Sequence, residues 1–177
     1  MNGFQKNAVT RCAGIFVVLA VVSSVLVGCA GYRLGSTLPE GINVVHVPTF
    51  INKTTEPLLE IVTTQATIRE IQRDGTLSLG SLEKSDIVLN VSVIDLKLNP
   101  LRYEKDTRTT TREYRMTITA SLKLTNRSTG KVMTRNVVIG ETDFMPTGDL
   151  SSAKRDALPL ASRDLARRII ENVVEYW

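Results

Sequence analysis

The stretch that decides the fold is REYRMTITASLKLTNRSTGKVMTRNVVIGETDF, residues 112–144. Its first half alternates apolar and polar side chains, which is the period of a β-strand with one buried face. A polar loop containing Gly130 follows, and residues 132–144 return with many β-branched side chains. Because glycine accepts the left-handed backbone that hairpin loops require, the stretch predicts two antiparallel strands. The side chains expected to face inward are Tyr114, Met116, Ile118, Ala120, Leu122 and Leu124.

A third long strand is predicted immediately before this hairpin, in SDIVLNVSVIDLKLNP, residues 85–100. Apolar residues occupy odd positions as far as Val93 and even positions from Leu96 onward. A one-residue slip exchanges the two faces of a strand. The change of parity therefore predicts a bulge near Ile94 and Asp95.

The segment after the first predicted strand has the 3.6-residue period of an amphipathic helix. Its apolar stripe runs over residues 58–73, and Gly75 follows as an expected stop signal. Thr54 or Thr55 is expected to cap the helix, since a hydroxyl oxygen can accept a hydrogen bond from a free N–H of the first turn.

The last segment, residues 150–177, shows the same helical period. Ser151 or Ser152 is expected to cap it. Pro159 is expected either to kink its beginning or to mark its true start, because proline lacks the N–H that a helix interior needs.

Two shorter strands complete the expected fold, INVVHVP at residues 42–48 and TLSLGSL at residues 76–82. The element order is then βαββββα. We expect an α+β fold in which two helices pack on one mostly antiparallel sheet of four to five strands.

The first 28 residues form an expected export signal. Lys6 and Arg11 are followed by an apolar run of roughly 15 residues. This run is shorter than the roughly 20 residues that a membrane-spanning helix needs. It ends in Leu-Val-Gly-Cys, which matches the bacterial lipobox, so Cys29 is expected to be lipidated and to become the first residue of the mature chain.

Lipidation divides the chain into three parts: a lipoprotein signal peptide at residues 1–28, a lipidated tether at 29–41, and a single periplasmic α+β domain at 42–177. Ala30 follows the cysteine where an aspartate would resemble an inner-membrane retention signal. The expected location is therefore the periplasmic side of the outer membrane. The other cysteine, Cys12, lies within the signal, so no disulfide is expected.

The sequence offers little for catalysis, and we expect no enzyme. His46 is the only histidine of the chain, and no serine or aspartate near it in sequence would complete a triad. We expect no metal site and no cofactor, since neither a zinc ligand set nor a phosphate-binding glycine loop is present. The formal net charge of +4 does not indicate nucleic-acid binding.

The feature that stands out is a cationic stretch between the long strand at residues 85–100 and the hairpin that follows it, where residues 99–111 are expected to form an exposed loop or a mobile hairpin tip. Guanidinium groups and hydroxyls suit phosphates and sugar phosphates. The alternative is a solvated loop and strand face. A second basic cluster on the last helix is expected to pair mainly with neighbouring acids. The basic residues of the stretch are Arg102, Lys105, Arg108, Arg112 and Arg115.

Several short motifs in this order resemble the LPS-assembly lipoprotein family, LptE (RlpB). Each motif is short, but together they cover nearly the whole mature chain. They are Cys29 followed by Gly-Tyr-Arg-Leu, Val-Pro-Thr-Phe-x-Asn-x-Thr at 47–54, Arg-Asp-Gly at 73–75, Ser-Asp-Ile-Val-Leu at 85–89, Glu-Tyr-Arg-Met at 113–116, and Ala-Leu-Pro with Leu-Ala-Arg before Trp177.

The resemblance implies a lipoprotein that plugs an outer-membrane β-barrel translocon (LptD-like) and helps deliver lipopolysaccharide to the outer leaflet, without a reaction of its own. Its implied partners are that barrel and lipopolysaccharide. The implied lipid A phosphate contacts are basic residues at the sheet edge and near the last helix. They best match Arg108 or Arg112 and Lys154, with Arg115 beside them.

PTFINKT after the first strand also resembles small lipoproteins that activate peptidoglycan synthases or build secretion pores. That alternative predicts binding to an envelope protein without a phosphate patch. A third possibility is an anchored domain with an unrelated protein partner.

Overall fold

The three long predicted strands form the centre of the sheet in the computed structural model, which describes residues 41–103 and 111–174. The expected signal peptide, Cys29 and nearly all of the tether lie outside the described residues. The elements in chain order are β1 (Val44–His46), β2 (Ile51–Asn52), α1 (Leu59–Asp74), β3 (Ser78–Leu79), a short 3₁₀ helix (Leu82–Lys84), β4 (Ile87–Tyr103), β5 (Thr111–Asn126), β6 (Val132–Phe144) and α2 (Leu150–Val174).

The α+β class with two helices on one sheet is confirmed, but the sheet has six strands within the described residues and is mixed. Its order is β3-β1-β4-β5-β6, with β2 also beside β4. The long strands β4, β5 and β6 pair antiparallel. The short strands β1 and β2 run parallel to β4, and β3 runs parallel to β1. Strand β2 was missed because two residues carry no readable period.

The predicted bulge in β4 is confirmed. The pairing with β5 is regular from Ile87 to Val93 and shifts between Val93 and Asp95. As a result, the buried side of β4 changes from odd to even positions, and Leu96 packs against the core. The bulge keeps an apolar face toward the helices from Ile87 to Leu98.

Both helices pack on the same face of the sheet, over the alternating apolar residues of β4 and β5. All of the inward residues predicted for β5 are buried except Tyr114, which is half-buried and stacks on Phe144 with ring centroids 5.8 Å apart. Helix α2 approaches β6 at Gly140. A Cβ at Gly140 would lie only 2.4 Å from the backbone nitrogen of Leu165.

The helix caps differ from the prediction. The N-cap of α1 is Leu58, in the left-handed region with φ 62°, and no side chain caps it. Thr54 does not cap the helix because its hydroxyl donates to Asn52 Oδ1 (2.8 Å) and accepts from the Glu56 N–H (3.1 Å) in a preceding turn. The predicted stop at Gly75 is confirmed, with φ 75° and its N–H bonded to the Ile71 carbonyl.

At the start of α2, the side chain of Asp149 accepts the N–H of Ser152 at 3.0 Å. The expected serine caps are therefore wrong, because the carboxylate one position before the helix takes this role. Pro159 lies inside α2 and does not mark its start.

Parts of the segment expected to be a loop are strand. Strand β4 continues to Tyr103, and β5 begins at Thr111, opposite it. The two strands therefore form an arm, here called the hairpin arm (residues 99–115), whose residues 104–110 are not described. Register shifts on both sides of Arg102 make this end of the ladder irregular.

Candidate functional site

The described part of the hairpin arm, at one end of the sheet, carries Arg102, Arg112 and Arg115 of the cationic stretch. Arg112 lies in β5 between Thr111, which is opposite Tyr103, and Glu113, which is opposite Arg102. Arg108 and Lys105 lie outside the described residues. The antiparallel pairing brings Arg102 and Arg112 to the same end of the arm, although ten positions separate them in the chain.

Arg115 is held by acids of the neighbouring strand. Asp143 lies directly opposite Arg115 in the β5–β6 register. The guanidinium donates from Nε to Asp143 Oδ1 (2.7 Å) and from an amino group to Oδ2 (2.9 Å). These hydrogen bonds and the attraction between the opposite charges lower the pKa of Asp143 and raise the pKa of Arg115. A phosphate at Arg115 would have to share the guanidinium with this carboxylate.

Lys154 is also paired, on the helical side of the molecule. Its ammonium forms an ion pair with the Glu56 carboxylate, which joins the first turn of α2 to the loop before α1. The side chains of Lys154 and Glu56 are 26% and 20% exposed. Because both groups are largely shielded from water, their attraction is screened less than that of a surface pair.

The Lys154–Glu56 pair lines an open cleft of about 400 Å³. Asn52 holds Glu56 in the position where it can pair with Lys154. The side-chain amide of Asn52 donates to the Glu56 carbonyl (2.7 Å) and to Glu60 Oε2 (2.9 Å). The β4 bulge supplies the apolar wall. The cleft is lined by Lys53, Thr54, Thr55, Glu56, Ile94, Asp95, Leu96, Leu98 and Lys154.

Lys53 was missed as a site residue. It lies in the same cleft as Lys154, about a hundred positions away in sequence, and only the fold brings the two ammonium groups to one opening. Its one sequence signal is its place in the PTFINKT motif. The cleft combines two lysines, two carboxylates and two hydroxyls with an apolar wall. Because the two carboxylates balance the two ammonium groups, an anionic and partly apolar ligand would have to displace Glu56 from Lys154 to bind there.

The structure does not bring all the predicted residues to one face. Arg115 occupies an odd position of β5, on the face away from the helices, whereas Lys154 belongs to α2 on the helical face. The basic residues therefore form two groups, one on the hairpin arm and one at the cleft. Arg115 also lies on β5, one strand in from the sheet edge.

In the second basic cluster, residues 154–168 of α2, Arg167 and Arg168 pair with a neighbouring acid as expected. Arg168 Nε donates to Asp164 Oδ2 (2.9 Å), and Arg167 pairs with the same carboxylate. Burial alone would raise the pKa of Asp164, but the N–H of Glu141 and the guanidinium of Arg168 together outweigh it and lower this pKa.

The side chain of His46 is hydrogen-bonded to the backbone of a neighbouring segment. It lies in β1, is half-buried, and donates from Nδ1 to the Gly80 carbonyl at 3.1 Å. Over residues 41–103 and 111–174, no group of three His, Cys, Asp or Glu side chains is placed to hold a metal ion. The described helices include none with the length and apolar character needed to cross a membrane.

Solved structures share this fold at low sequence identity. Protein XCC0632 from Xanthomonas campestris gives a TM-score of 0.55 at 13% identity, over 78% of this chain and 88% of that one. Rare lipoprotein B from Shewanella oneidensis gives 0.51 at 11%, over 76% and 96%. Lipoprotein B from Nitrosomonas europaea gives 0.50 at 11%, over 81% and 86%. Comparison with curated proteins gives no match.

The family comparison is more specific than the shared fold. The model of the family described as LptE, lipopolysaccharide-assembly, matches residues 42–173. This range begins two residues before β1 and ends one residue before the end of α2, so it includes every described strand, α1, nearly all of α2 and the cleft. The chain therefore belongs to the LptE family of lipopolysaccharide-assembly proteins.

Proposed function

We propose that this protein is an outer-membrane lipoprotein, anchored through Cys29 on the periplasmic side, that serves as the accessory plug subunit of the lipopolysaccharide-assembly translocon. In this role it binds an LptD-like β-barrel and helps insert lipopolysaccharide at the outer leaflet. The observation that carries the proposal is the family match over residues 42–173. The protein acts by binding and does not catalyse a reaction.

Lipopolysaccharide contacts are assigned first to the hairpin arm. Arg108 and Arg112 provide guanidinium groups, which bind phosphate through paired, charge-assisted hydrogen bonds. Arg115 supports this group from the base of the arm, where Asp143 fixes its orientation. A cationic arm suits the phosphates of lipid A because the attraction acts before close contact is made.

The cleft beside Lys154 is assigned a second, amphipathic contact. Lys53 and Lys154 supply positive charge at its mouth, and Leu96 and Leu98 supply apolar surface. A phosphate entering the cleft would compete with Glu56 for Lys154. It would therefore bind there only if its attraction to Lys154 exceeded that of the existing ion pair. Lys53, which the structure shows in no ion pair with the described acids, would make the first contact.

Titration of the purified lipoprotein with lipopolysaccharide tests these contacts. We expect Arg108→Ala combined with Arg112→Ala to weaken binding about tenfold at low salt, because each lost charged hydrogen bond contributes about 1.5–3 kcal/mol before competition with water and salt. Lys53→Ala with Lys154→Ala should act in the same direction. The matched control is Lys84→Ala with Lys131→Ala, which removes two exposed lysines outside both groups.

The salt dependence of lipopolysaccharide binding is compared between the wild-type protein and the arginine double variant. Wild-type binding should weaken as salt is raised, and the arginine double variant should show a smaller loss. If the arginine variant bound as tightly as the control pair at every salt concentration, the cationic arm would be a solvated face without a role in lipopolysaccharide binding.

A further inference from the structure

Strand β4 has neighbours on both sides over only part of its length. On the side opposite β5, β1 pairs with it at residues 87–88, and β2 pairs with it at residues 92–93. Beyond Val93, no strand of the described residues lies beside β4 on this side. The later part of β4 is therefore an edge of the sheet, and it borders the cleft beside Lys154.

The backbone groups that face this edge can be identified from one hydrogen bond and from the bulge. The Val93 carbonyl accepts the Lys53 N–H at 2.9 Å, so odd positions before the bulge direct their backbone groups away from β5. The bulge adds one residue between Val93 and Asp95, which exchanges the two sides of the strand. Leu96 and Leu98 therefore direct their N–H and C=O groups away from β5, toward the cleft that they line.

The free edge is short because both of its ends are interrupted. The bulge lies on one side of it, and Pro100, which has no N–H, lies on the other. Such interruptions oppose pairing with a long strand, but they leave the N–H and C=O groups of Leu96 and Leu98 available. Donors and acceptors that alternate at this spacing match an extended peptide backbone, whereas a phosphate can only accept hydrogen bonds.

The side chains beside the edge indicate which peptide would fit. Leu96 and Leu98 are half-buried and pack against the core, so residues placed opposite them would meet apolar surface. Lys97, between them, lies on the other face and pairs with Asp95 at 2.7 Å. Lys53 lines the same cleft and forms no ion pair with the described acids. One positive charge beside the edge is therefore left without a carboxylate, which favours an acidic residue in the peptide.

We infer that the free edge of β4 binds an extended segment of a partner protein as an added antiparallel strand, in which one acidic residue is flanked by two apolar residues. The two apolar residues lie opposite Leu96 and Leu98 and exchange backbone hydrogen bonds with them. The acidic residue lies opposite Lys97, on the face where Lys53 can approach it. Strand addition to a sheet edge is a common mode of peptide recognition, and antiparallel pairing is the slightly more stable arrangement.

The added strand and the proposed lipopolysaccharide contact would share Lys53, so the two ligands would compete for the cleft. The strand is nevertheless recognised by backbone groups of β4 that the lipid contact does not need. Peptide binding can be measured with neither lipopolysaccharide nor a β-barrel present. A negative result for the strand would therefore leave the proposed function standing, and failure of the proposed function would leave the strand contact standing.

Backbone methylation of a synthetic peptide tests the strand pairing without altering the protein. The probe is fluorescein-labelled Thr-Val-Glu-Val-Thr-amide, and its binding to the full-length lipoprotein in detergent micelles is followed by fluorescence anisotropy. N-methylation of both valines should weaken binding about tenfold, because it removes the two N–H groups that face Leu96 and Leu98. N-methylation of the glutamate should leave the affinity unchanged within about twofold, because that N–H points away from β4.

Charge exchange tests the position of the acidic residue. Lys53→Glu should weaken binding of the peptide about tenfold, and a peptide with lysine in place of glutamate should recover it. Lys84→Glu is the matched control, since Lys84 is exposed in the 3₁₀ helix and does not line the cleft. Unchanged thermal unfolding of each variant shows that the fold is intact. A wild-type protein that does not bind the unmodified peptide, equal binding of the two methylated peptides, or equal binding by the two glutamate variants would overturn the inference.

Discussion

Asp86 shows how a single carboxylate attaches the first strand to the sheet. Its Oδ2 accepts the backbone N–H groups of Asn43 and Val44, each at 2.9 Å, where the chain enters β1. Arg127 contacts the neighbouring residue of the same segment, since its Nε donates to the Ser85 carbonyl at 2.7 Å. A three-residue strand has few hydrogen bonds of its own, so these contacts contribute much of its stability.

Asp86→Ala should therefore lower the free energy of unfolding by about 1–2 kcal/mol, because two backbone donors lose a charged acceptor. The urea midpoint measures the change. The control Asp156→Ala removes an exposed carboxylate of α2 and should change stability by less than about 0.5 kcal/mol. Equal effects of the two variants would contradict the role of Asp86.

The pH dependence of this contribution has a definite sign. The hydrogen bonds from Asn43 and Val44 lower the pKa of Asp86 below its usual 3.8. A carboxylate with a lowered pKa in the folded state stabilises the protein above the unfolded-state pKa and loses this effect as the pH falls through the folded-state value. The stability difference between wild type and Asp86→Ala should thus shrink below about pH 4.

At the scale of single residues, neither ion pair of the predicted site residues could be read from the sequence. Thr125 lies opposite Val132 next to the turn, and the same register continued along the strands would place Arg115 opposite Thr142. A register shift between Leu124 and Thr125 moves the pairing by one residue and brings Asp143 opposite Arg115. The pairing of Lys154 with Glu56 depends on how α2 crosses the loop before α1, which also requires the tertiary structure.

At the scale of elements, the approach of α2 to β6 depends on one residue without a side chain. A Cβ at position 140 would lie within 2.5 Å of the nitrogen, Cα and Cβ of Leu165. These are mostly backbone atoms, which cannot move without displacing the helix. Gly140 is therefore the contact point that sets the distance between α2 and the sheet.

Gly140→Ala should lower the free energy of unfolding by about 1–3 kcal/mol through overpacking. Val132→Ala, at an exposed position of the same strand, is the control and should have an effect within about 0.5 kcal/mol. Thermal unfolding of both variants gives the comparison. A Gly140→Ala protein as stable as wild type would show that the helix is not in close contact here.

Strands and helices were predictable from the sequence where the alternating or helical pattern extended over many residues. Strand β5, the bulge in β4 and the Gly75 stop of α1 all follow from alternation or turn chemistry. The parallel strands β1, β2 and β3 were harder, because their pairing joins distant segments and each is two or three residues long. The predicted helix caps were wrong for two reasons. The Thr54 hydroxyl is hydrogen-bonded within a preceding turn, and the Asp149 carboxylate accepts the free N–H that Ser151 or Ser152 was expected to bind.

At the scale of the whole molecule, the entry of the tether and the cationic arm lie at opposite ends of β4. Strand β1 pairs with the start of β4 at Ile87, and the hairpin arm begins near its other end. A strand of 17 residues extends roughly 50 Å. The start of the described chain, next to β1, and the described part of the hairpin arm are thus separated by most of the length of the sheet.

The anchor itself is tested by Cys29→Ala. Without the sulfur, the lipid cannot be attached, so the precursor should keep its signal peptide and run at higher mass than the mature wild-type protein. Mass spectrometry of the membrane fraction measures both. Correct cleavage of the Cys29→Ala chain, or a wild-type protein without acyl groups, would remove the lipoprotein assignment.

The central claim is that this domain works as a subunit of a lipopolysaccharide-assembly translocon. Affinity purification of the full-length protein from detergent-solubilised outer membranes tests it most directly. We predict that a large outer-membrane β-barrel is recovered with it in a stable complex. Recovery of a peptidoglycan synthase instead, or of the lipoprotein without any barrel, would contradict the account.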